Sequence, residues 1–287
     1  MLYQLSYPGV PVFYQKIYLI SLSNLKPLIF LTSTILILLF VLTRQSLPPT
    51  TPPTTLPSLT TIPTSTSTPP QEITYNQKIY QYYYRQIKPT DTFKLIPNFT
   101  ESHQTSSQII QINDCDFGIN GGFYRTDNKP LGYFYANNKQ FNVRTASPTF
   151  AGLLISKNNQ FQIDSISNLP TDPKDFDFIF QTGPYYNLSE PTASFVDQDF
   201  DRRHLIATDS QNQFYFFSIF EKDHAFSGPR LQDIPDIFKS KMFRNISQFT
   251  TVLNLDGGSA STYLDSSQDI KVEELSPIGS FLCGKTN

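Results

Sequence analysis

The segment best suited to catalysis or binding is Asp256, Gly257, Gly258 and Ser259, which directly follows the apolar run at residues 251–255. A strand end holds a carboxylate rigidly, and glycines let backbone N–H groups approach an anion. Ser259 is suited to cap a short following helix. The alternative is an ordinary Asp-Gly turn. The segment therefore indicates either a carboxylate beside an anion-binding loop or a plain turn.

A second glycine-rich segment begins at Asn120, which Gly121 and Gly122 follow and which precedes the rings Phe123 and Tyr124. The Asn amide offers both donors and an acceptor to hydroxyl or phosphate oxygens. The two rings are suited to flank a sugar. Taken alone, the pattern is equally typical of a bulge or a turn.

Two further segments have weaker signals. Thr182 and Gly183 end an apolar run, and a structural turn explains them equally well. Arg202, Arg203 and His204 open another apolar run. Arginine binds phosphate oxygens through its planar fork, and its charge does not titrate away. The alternative is a solvated strand edge whose arginines pair with the neighbouring aspartates.

The order of these four segments resembles the phosphodiester glycosidase family, over residues 108–284. The resemblance implies that the family's Asn is Asn120, its Arg is Arg203, and its Asp-Gly-Gly-Ser is residues 256–259. Residues 182–184 match the turn that precedes the family's Arg strand. The chain departs from the family at His204, where a small Ser or Thr is usual, and at Ser259, which replaces a frequent third glycine.

The resemblance implies a site with three catalytic residues, Asp256, Arg203 and Asn120. In this hypothesis Arg203 neutralises a departing phosphate and Asp256 serves the sugar as nucleophile or base. A second carboxylate is not identified, and the candidates are Asp116, Asp199 and Asp201. The residues predicted to bind substrate are Gly121, Gly122, Thr182, Gly183, His204, Gly257, Gly258 and Ser259.

The predicted function is hydrolysis of a sugar-1-phosphodiester on a surface or extracellular glycan such as an exopolysaccharide. A noncatalytic glycan-binding module on the same fold is one alternative. A phosphodiesterase that cuts P–O bonds is another, but the three histidines are scattered and suggest no two-metal site. No metal site is predicted, and the sequence does not identify a cofactor.

The elements that must position these residues are predicted to be mostly strands. Short runs rich in Ile, Phe, Tyr and Val alternate in polarity, and Asn-containing turns predict hairpins at about 131–143, 149–166 and 204–220. Helical spacing predicts a helix over about 230–245 that covers one sheet face, and a further helical piece is suggested at 75–86. The fold class is therefore α+β with a predominantly antiparallel sheet, hairpins and one or two covering helices.

The N-terminal part has a different composition from the rest. Residues 27–43 are uncharged and read as a transmembrane anchor, preferred over a cleaved signal peptide, after a short cytoplasmic segment at 1–26. Residues 44–72 form a Pro/Thr-rich stalk, and residues 73–287 form the domain. Two basic residues, Lys16 and Lys26, precede the span and one, Arg44, follows it. This excess of positive charge on the N-terminal side favours an extracytoplasmic domain.

Charge and cysteine content narrow the possible partners and environments. The segment from Glu72 onward has 19 basic residues, the total of 22 minus the three that precede it, and all 24 acidic residues. This acidic balance argues against nucleic acid as a partner. The expected partners are a glycan phosphodiester and, through the anchor, the membrane. Cys115 and Cys283 either form one disulfide or remain two buried thiols.

Overall fold

The computed structural model describes residues 68–99, 103–127, 129–190 and 197–287. The predicted cytoplasmic segment, the anchor at 27–43 and most of the stalk lie outside these residues. Among the residues that are described, no helix has the length and apolar character needed to cross a membrane. The first strand begins at Gln71, inside the segment that the sequence predicts to be stalk.

The described chain forms three antiparallel sheets. In spatial order, the first contains β1 (Gln71–Tyr75), β2 (Lys78–Gln86), β12 (Phe214–Glu221), β11 (Arg203–Asp209), β13 (Phe249–Asn254) and β10 (Tyr185–Asn187). The second contains β15 (Ile270–Val272), β14 (Tyr263–Asp265), β4 (Phe117–Asn120), β16 (Ser280–Lys285) and β3 (Thr92–Pro97). The third contains β6 (Lys139–Asn142), β5 (Phe134–Ala136), β9 (Phe178–Thr182), β7 (Gly152–Lys157) and β8 (Gln160–Ser165).

The central core lies among the three sheets, because each sheet contributes one apolar face to it. The first sheet supplies Ile206 and Phe216, the second Phe117 and the third Phe180, all fully or almost fully buried. Burial of such rings is the main favourable term in folding, at about 25 cal/mol per Å² of apolar surface. The sequence motifs therefore lie at the ends of strands that share one apolar core.

All three predicted hairpins are confirmed, and their turns show why asparagine occurs there. Asn137, Asn138, Asn158, Asn159 and Asn212 all have φ between 52° and 60°, which is the left-handed region. Asparagine adopts this region more readily than most residues because its short amide can bond locally. These turns join β5 to β6, β7 to β8 and β11 to β12.

The helical piece suggested at 75–86 is wrong, because this segment is strand. Residues of β1 and β2 pair as an antiparallel hairpin around Asn76 and Gln77. Tyr80 and Tyr82 are fully buried on one face, and Tyr83 packs on the opposite, core-facing side. This period of two is that of a half-buried strand.

The helix predicted over 230–245 is divided into three short pieces. They are a 3₁₀ turn at Leu231–Asp233, α2 (Ile234–Lys239) and α3 (Lys241–Ile246). Ser240 is extended (φ −65°, ψ 158°) and its hydroxyl accepts from the Phe243 N–H at 3.4 Å, so it ends one helix and caps the next. Phe238 and Phe243 share a buried cluster with Phe217 of the first sheet. The remaining α-helix, α1 (Ser106–Asn113), packs beside the second sheet.

Cys115 and Cys283 form a disulfide, which decides between the two alternatives that the sequence left open. It joins the segment before β4 to β16 across a sequence separation of 168 residues. The bond therefore closes a loop that contains most of the domain.

Candidate active site

The four sequence motifs meet where strand ends from all three sheets converge. Asn120 ends β4, Asp256 follows β13 and Thr182 ends β9. The Asp256 N–H donates to the Gly121 carbonyl at 3.1 Å, which joins the first sheet to the second. The Thr182 hydroxyl donates to the Asn254 carbonyl at 2.9 Å, which joins the third sheet to the first. The site is therefore a junction of three sheets.

Asn120 is the centre of this junction, and protein groups occupy its whole amide. Its Nδ2 donates to the Asp256 carbonyl at 2.8 Å and to the Gly121 carbonyl at 3.2 Å. Its Oδ1 accepts from the Thr262 N–H at 3.0 Å and lies 2.5 Å from His204 Nδ1. The residue is 1% exposed. This arrangement favours a positioning role over the contact with substrate oxygens expected from the sequence.

His204 lies beneath Asn120, away from solvent. The side chain is completely buried, and its Nε2 is 3.0 Å from Ser218 Oγ. Burial, together with the charge of Arg202, lowers the pKa of His204 well below 6.5, so the ring is neutral. The sequence predicted His204 as a substrate-binding residue, but the structure places it behind the site.

Asp256 carries a carboxyl whose ionisation is disfavoured. The residue keeps partial solvent exposure, but the dense protein around its carboxyl raises the pKa to about 8. The Gly257 N–H donates to Oδ1 at 3.0 Å and opposes this rise, whereas the nearby Asp201 adds to it. A carboxyl that titrates near neutral pH is suited to general acid or base catalysis.

Arg203 is 4% exposed, and hydrogen bonds to the described residues hold its Nε and Nη2 but not its Nη1. Its Nε donates to the Pro229 carbonyl at 2.8 Å, and its Nη2 donates to Asp197 Oδ2 at 3.0 Å and to the Asp199 carbonyl at 2.6 Å. Its Nη1 lies 3.8 Å from Asp201 Oδ2. Within the described part of the chain, Nη1 makes no hydrogen bond. This edge of the guanidinium is therefore the one that can accept an anion.

Arg202, the preceding residue, serves a different purpose. Its Nε donates to Ser261 Oγ at 2.7 Å, and its Nη2 donates to the Ser261 carbonyl and, at 2.8 Å, to the Glu273 carbonyl. Burial lowers the pKa of Arg202 to about 10, and its guanidinium lies over the Phe226 ring. Arg202 thus fixes the segment after the Asp-Gly-Gly motif. The family resemblance assigned the catalytic role to Arg203, whereas the residue types alone gave no reason to prefer it over Arg202.

Of the three candidate second carboxylates, Asp201 is the one that faces the site. Burial raises the pKa of Asp201, while Arg203 opposes the rise. Asp116 lies at the far end of β4, where it accepts from the Thr286 N–H at 2.8 Å and pairs with Lys285 at 3.4 Å. Asp199 meets Arg203 through its backbone carbonyl, and its side chain is exposed.

The glycines of the motifs allow segments to approach closely. A Cβ on Gly257 would lie 2.6 Å from the Arg202 carbonyl, and a Cβ on Gly122 would lie 3.1 Å from the Phe180 ring. Gly121 faces Ser280 and Gly183 faces the Thr149 carbonyl at shorter distances still. The glycines predicted to contact substrate therefore permit the sheets to meet.

The anion-binding loop expected at Gly257 and Gly258 is not open in this structure. The Gly257 N–H donates to the Asp256 carboxyl, and the Gly258 N–H donates to the Arg202 carbonyl at 2.9 Å. Gly258 has φ +61°, so a side chain there would be strained. The loop shapes the site while its donors are satisfied internally.

Two groups at the rim complete the site. Ser259 is exposed, and its hydroxyl accepts from Ser276 at 2.9 Å. Burial, together with the nearby Asp256 carboxyl, raises the pKa of Tyr124 to about 12. Its hydroxyl donates to the Pro277 carbonyl. The sequence singled out the Tyr124 ring as a flank for a sugar but did not place it beside the carboxyl.

Neither metal chemistry nor a deep cavity identifies this site. The described residues contain no cluster of three or more His, Cys, Asp or Glu side chains arranged to hold a metal ion. Two clefts of about 380 and 370 Å³ lie elsewhere on the domain and include none of the site residues. The site is therefore recognised by the chemistry of Asp256, Asp201 and Arg203.

Two solved structures have a fold similar to that of this chain. The catalytic domain of zebrafish N-acetylglucosamine-1-phosphodiester alpha-N-acetylglucosaminidase, auto-inhibited by its pro-peptide, is 15% identical with a TM-score of 0.55, over 75% of this chain and 80% of that one. A hypothetical protein from Synechocystis is 11% identical with a TM-score of 0.52, over 76% of this chain and 61% of that one. These likenesses show the fold alone.

No curated protein matches the sequence. A family model described as phosphodiester glycosidase matches residues 113–279, which is more than half of the chain. The matched segment contains the four motifs that the structure brings together. The chain belongs to the phosphodiester glycosidase family.

Proposed function

We propose that this protein hydrolyses a sugar-1-phosphodiester at the anomeric carbon, releasing a free sugar and a phosphate monoester. The observation that carries the proposal is the meeting at one junction of Asp256, Asp201 and the Arg203 Nη1, which makes no hydrogen bond within the described residues. Family membership supports the same reaction class.

The departing group explains why a cation is needed there. A phosphate monoester is already a competent leaving group, so neutralising its charge matters more than protonating it. Arg203 presents Nη1 to the site while its Nε and Nη2 are held by backbone carbonyls and Asp197. A guanidinium held in this way stabilises developing negative charge without reorganising.

Asp256 acts on the sugar side of the bond. We assign it the role of base for the attacking water or of nucleophile toward the oxocarbenium-like transition state. Both roles require the ionised carboxylate, so the raised pKa of Asp256 limits activity at low pH. Burial is the main cause of the raised pKa of Asp256, and the neighbouring Asp201 carboxylate adds to it.

A hydrolysis screen of sugar-1-phosphate diesters in H₂¹⁸O tests the reaction. Cleavage of the C1–O bond leaves the released phosphate monoester without ¹⁸O, and the label in the phosphate is the readout because the anomeric oxygen of a free sugar exchanges with water. Phosphodiesterase activity would instead place ¹⁸O in the phosphate, whichever of the two P–O ester bonds is cut. A noncatalytic glycan-binding module would show affinity without turnover.

Two variants connect the reaction to the site. Asp256→Asn keeps the acceptor for the Gly257 N–H but cannot ionise, and Arg203→Lys keeps the charge but loses the fork. Both should abolish most turnover, whereas Asp223→Asn, on an exposed turn, should not. Full activity in Asp256→Asn would refute the assignment.

We also propose that the domain works outside the cytoplasm, anchored by residues 27–43. The disulfide between Cys115 and Cys283 supports this location, because such bonds persist mainly in oxidising compartments. Protease treatment of intact cells is the test. Digestion of the domain in intact cells is expected, and its protection until lysis would contradict the location.

A further inference from the structure

A chain of buried polar side chains, Ser218, His204 and Asn120, lies beneath the site and has no part in the reaction described above. We call it the polar relay. Each member is at most 1% exposed. Ser218 on β12 lies 3.0 Å from His204 on β11, which lies 2.5 Å from Asn120 at the end of β4. Asn120 then donates to the Asp256 carbonyl at 2.8 Å. The polar relay thus ends on the backbone of the proposed catalytic residue.

The hydrogen atoms of the polar relay can be assigned from its backbone partners. The Thr262 N–H can only donate and backbone carbonyls can only accept, so the orientation of the Asn120 amide is fixed. Its Oδ1 is an acceptor and faces His204 Nδ1, so Nδ1 carries the hydrogen. The ring is neutral, so Nε2 is bare and accepts the Ser218 hydroxyl hydrogen. Every polar atom along this path has a partner.

We propose that His204 is a positioning residue of the active site, which acts through Asn120 to fix the backbone of Asp256. The inference rests on the proposed function, because Asp256 is the catalytic carboxyl there. The backbone carbonyl of His204 also accepts from the Leu255 N–H at 2.8 Å. His204 therefore holds the backbone after β13 at two consecutive residues, Leu255 directly and Asp256 through Asn120.

The polar relay is sensitive to substitution because its buried polar atoms depend on one another for hydrogen bonds. Without the donor at Nδ1, Asn120 Oδ1 keeps one partner and the amide can rotate away from the Asp256 carbonyl. Polar groups that lose a buried partner become costly, so the segment moves until they are satisfied. A displacement of about 1 Å at a reacting group can reduce turnover about 100-fold.

Matched variants of the full-length protein test the proposal by kinetics. His204→Leu removes the donor, and we expect kcat to fall about 100-fold with KM nearly unchanged. His204→Asn places Nδ2 where Nδ1 was and should restore most of the lost kcat. Ser218→Ala leaves Nε2 without its donor and should lower kcat as well, though less than His204→Leu. Ser156→Ala is the control, since Ser156 is equally buried on β7 of the third sheet, where its hydroxyl donates to the Asp177 carboxylate.

A purely structural histidine would give a different pattern of results. His204→Leu with wild-type kcat, or Ser218→Ala indistinguishable from Ser156→Ala, would overturn the proposal. If His204→Leu does not fold, then His204→Asn and Ser218→Ala decide the question. Loss of kcat in His204→Asn as large as any in the series would also count against it.

Nitrogen NMR provides a readout that needs no substrate. The chain has three histidines, so His204 is assigned by comparison with His204→Asn. We expect a protonated Nδ1 and a bare Nε2 in the wild type, and in Ser218→Ala the same tautomer with a shifted Nε2 resonance, because the hydroxyl that donates to Nε2 is lost. A protonated Nε2 in the wild type would overturn the relay even if hydrolysis is observed. If no phosphodiester is hydrolysed, the proposed function fails while the NMR result still decides the relay.

Discussion

Replacing Asp256 by Asn should stabilise the protein at neutral and alkaline pH while abolishing turnover. The pKa of Asp256 rises from 3.8 to about 8 in the folded state, mainly through burial. Between these values the folded state holds the proton and the unfolded state has lost it. The free energy of unfolding therefore keeps the full contribution of this group below pH 3.8 and loses it progressively as pH rises to about 8.

The size of the effect follows from the same values. A rise from 3.8 to about 8 corresponds to about 6 kcal/mol between the two protonation states, and the portion lost by pH 7 is about 4 kcal/mol. The carboxyl keeps partial solvent exposure, which screens part of this penalty. We therefore expect Asp256→Asn to gain about 2–4 kcal/mol at pH 7 and little at pH 4.

Urea unfolding of the wild type and Asp256→Asn at several pH values between 4 and 9 measures this directly. The difference in the free energy of unfolding should grow with pH up to about 8 and then stay constant. Asp223→Asn, exposed on a turn, is the matched control and should show no such trend. Parallel curves for the wild type and Asp256→Asn would refute the argument that this carboxyl is desolvated.

The remaining predictions concern the site and its frame. The kcat/KM of the wild type should rise with pH through about 8, as Asp256 ionises. Asp201→Asn should move this rise to lower pH, because it removes a negative charge beside Asp256. An unchanged pH profile of kcat/KM would contradict the coupling between Asp201 and Asp256. Gly257→Ala should lose most activity, because its Cβ would lie 2.6 Å from a backbone carbonyl; an active, equally stable variant would be inconsistent with this packing. Replacing Cys115 and Cys283 by Ser should lower the free energy of unfolding by about 2–5 kcal/mol, measured by urea unfolding, and an unchanged value would show that the crosslink is unnecessary.

The sequence was sufficient for features that local chemistry dictates. Paired asparagines predicted hairpin turns because their side chains tolerate the left-handed backbone, and the turn at Asn158 and Asn159 has that geometry. The order of the four motifs identified the family, since spacing along a chain needs no coordinates. The prediction at 75–86 was wrong because repeated Tyr and Gln have no clear period until burial shows which face is covered.

Tertiary structure alone decided which groups remain available for chemistry. Arg202 and Arg203 are adjacent and of the same residue type. The Arg202 guanidinium is bonded to Ser261 and Glu273, whereas the Arg203 Nη1 makes no hydrogen bond within the described residues and faces Asp201. Asn120 looked like a substrate contact, but long-range partners use its whole amide.

The sequence by itself determined the strand-rich class, the turns and the family, because these depend on neighbouring residues and on motif order. The tertiary structure determined the roles within the site. A side chain's hydrogen-bond partners and desolvation come from segments that are remote in sequence. The raised pKa of Asp256 therefore depends on packing that no local pattern encodes.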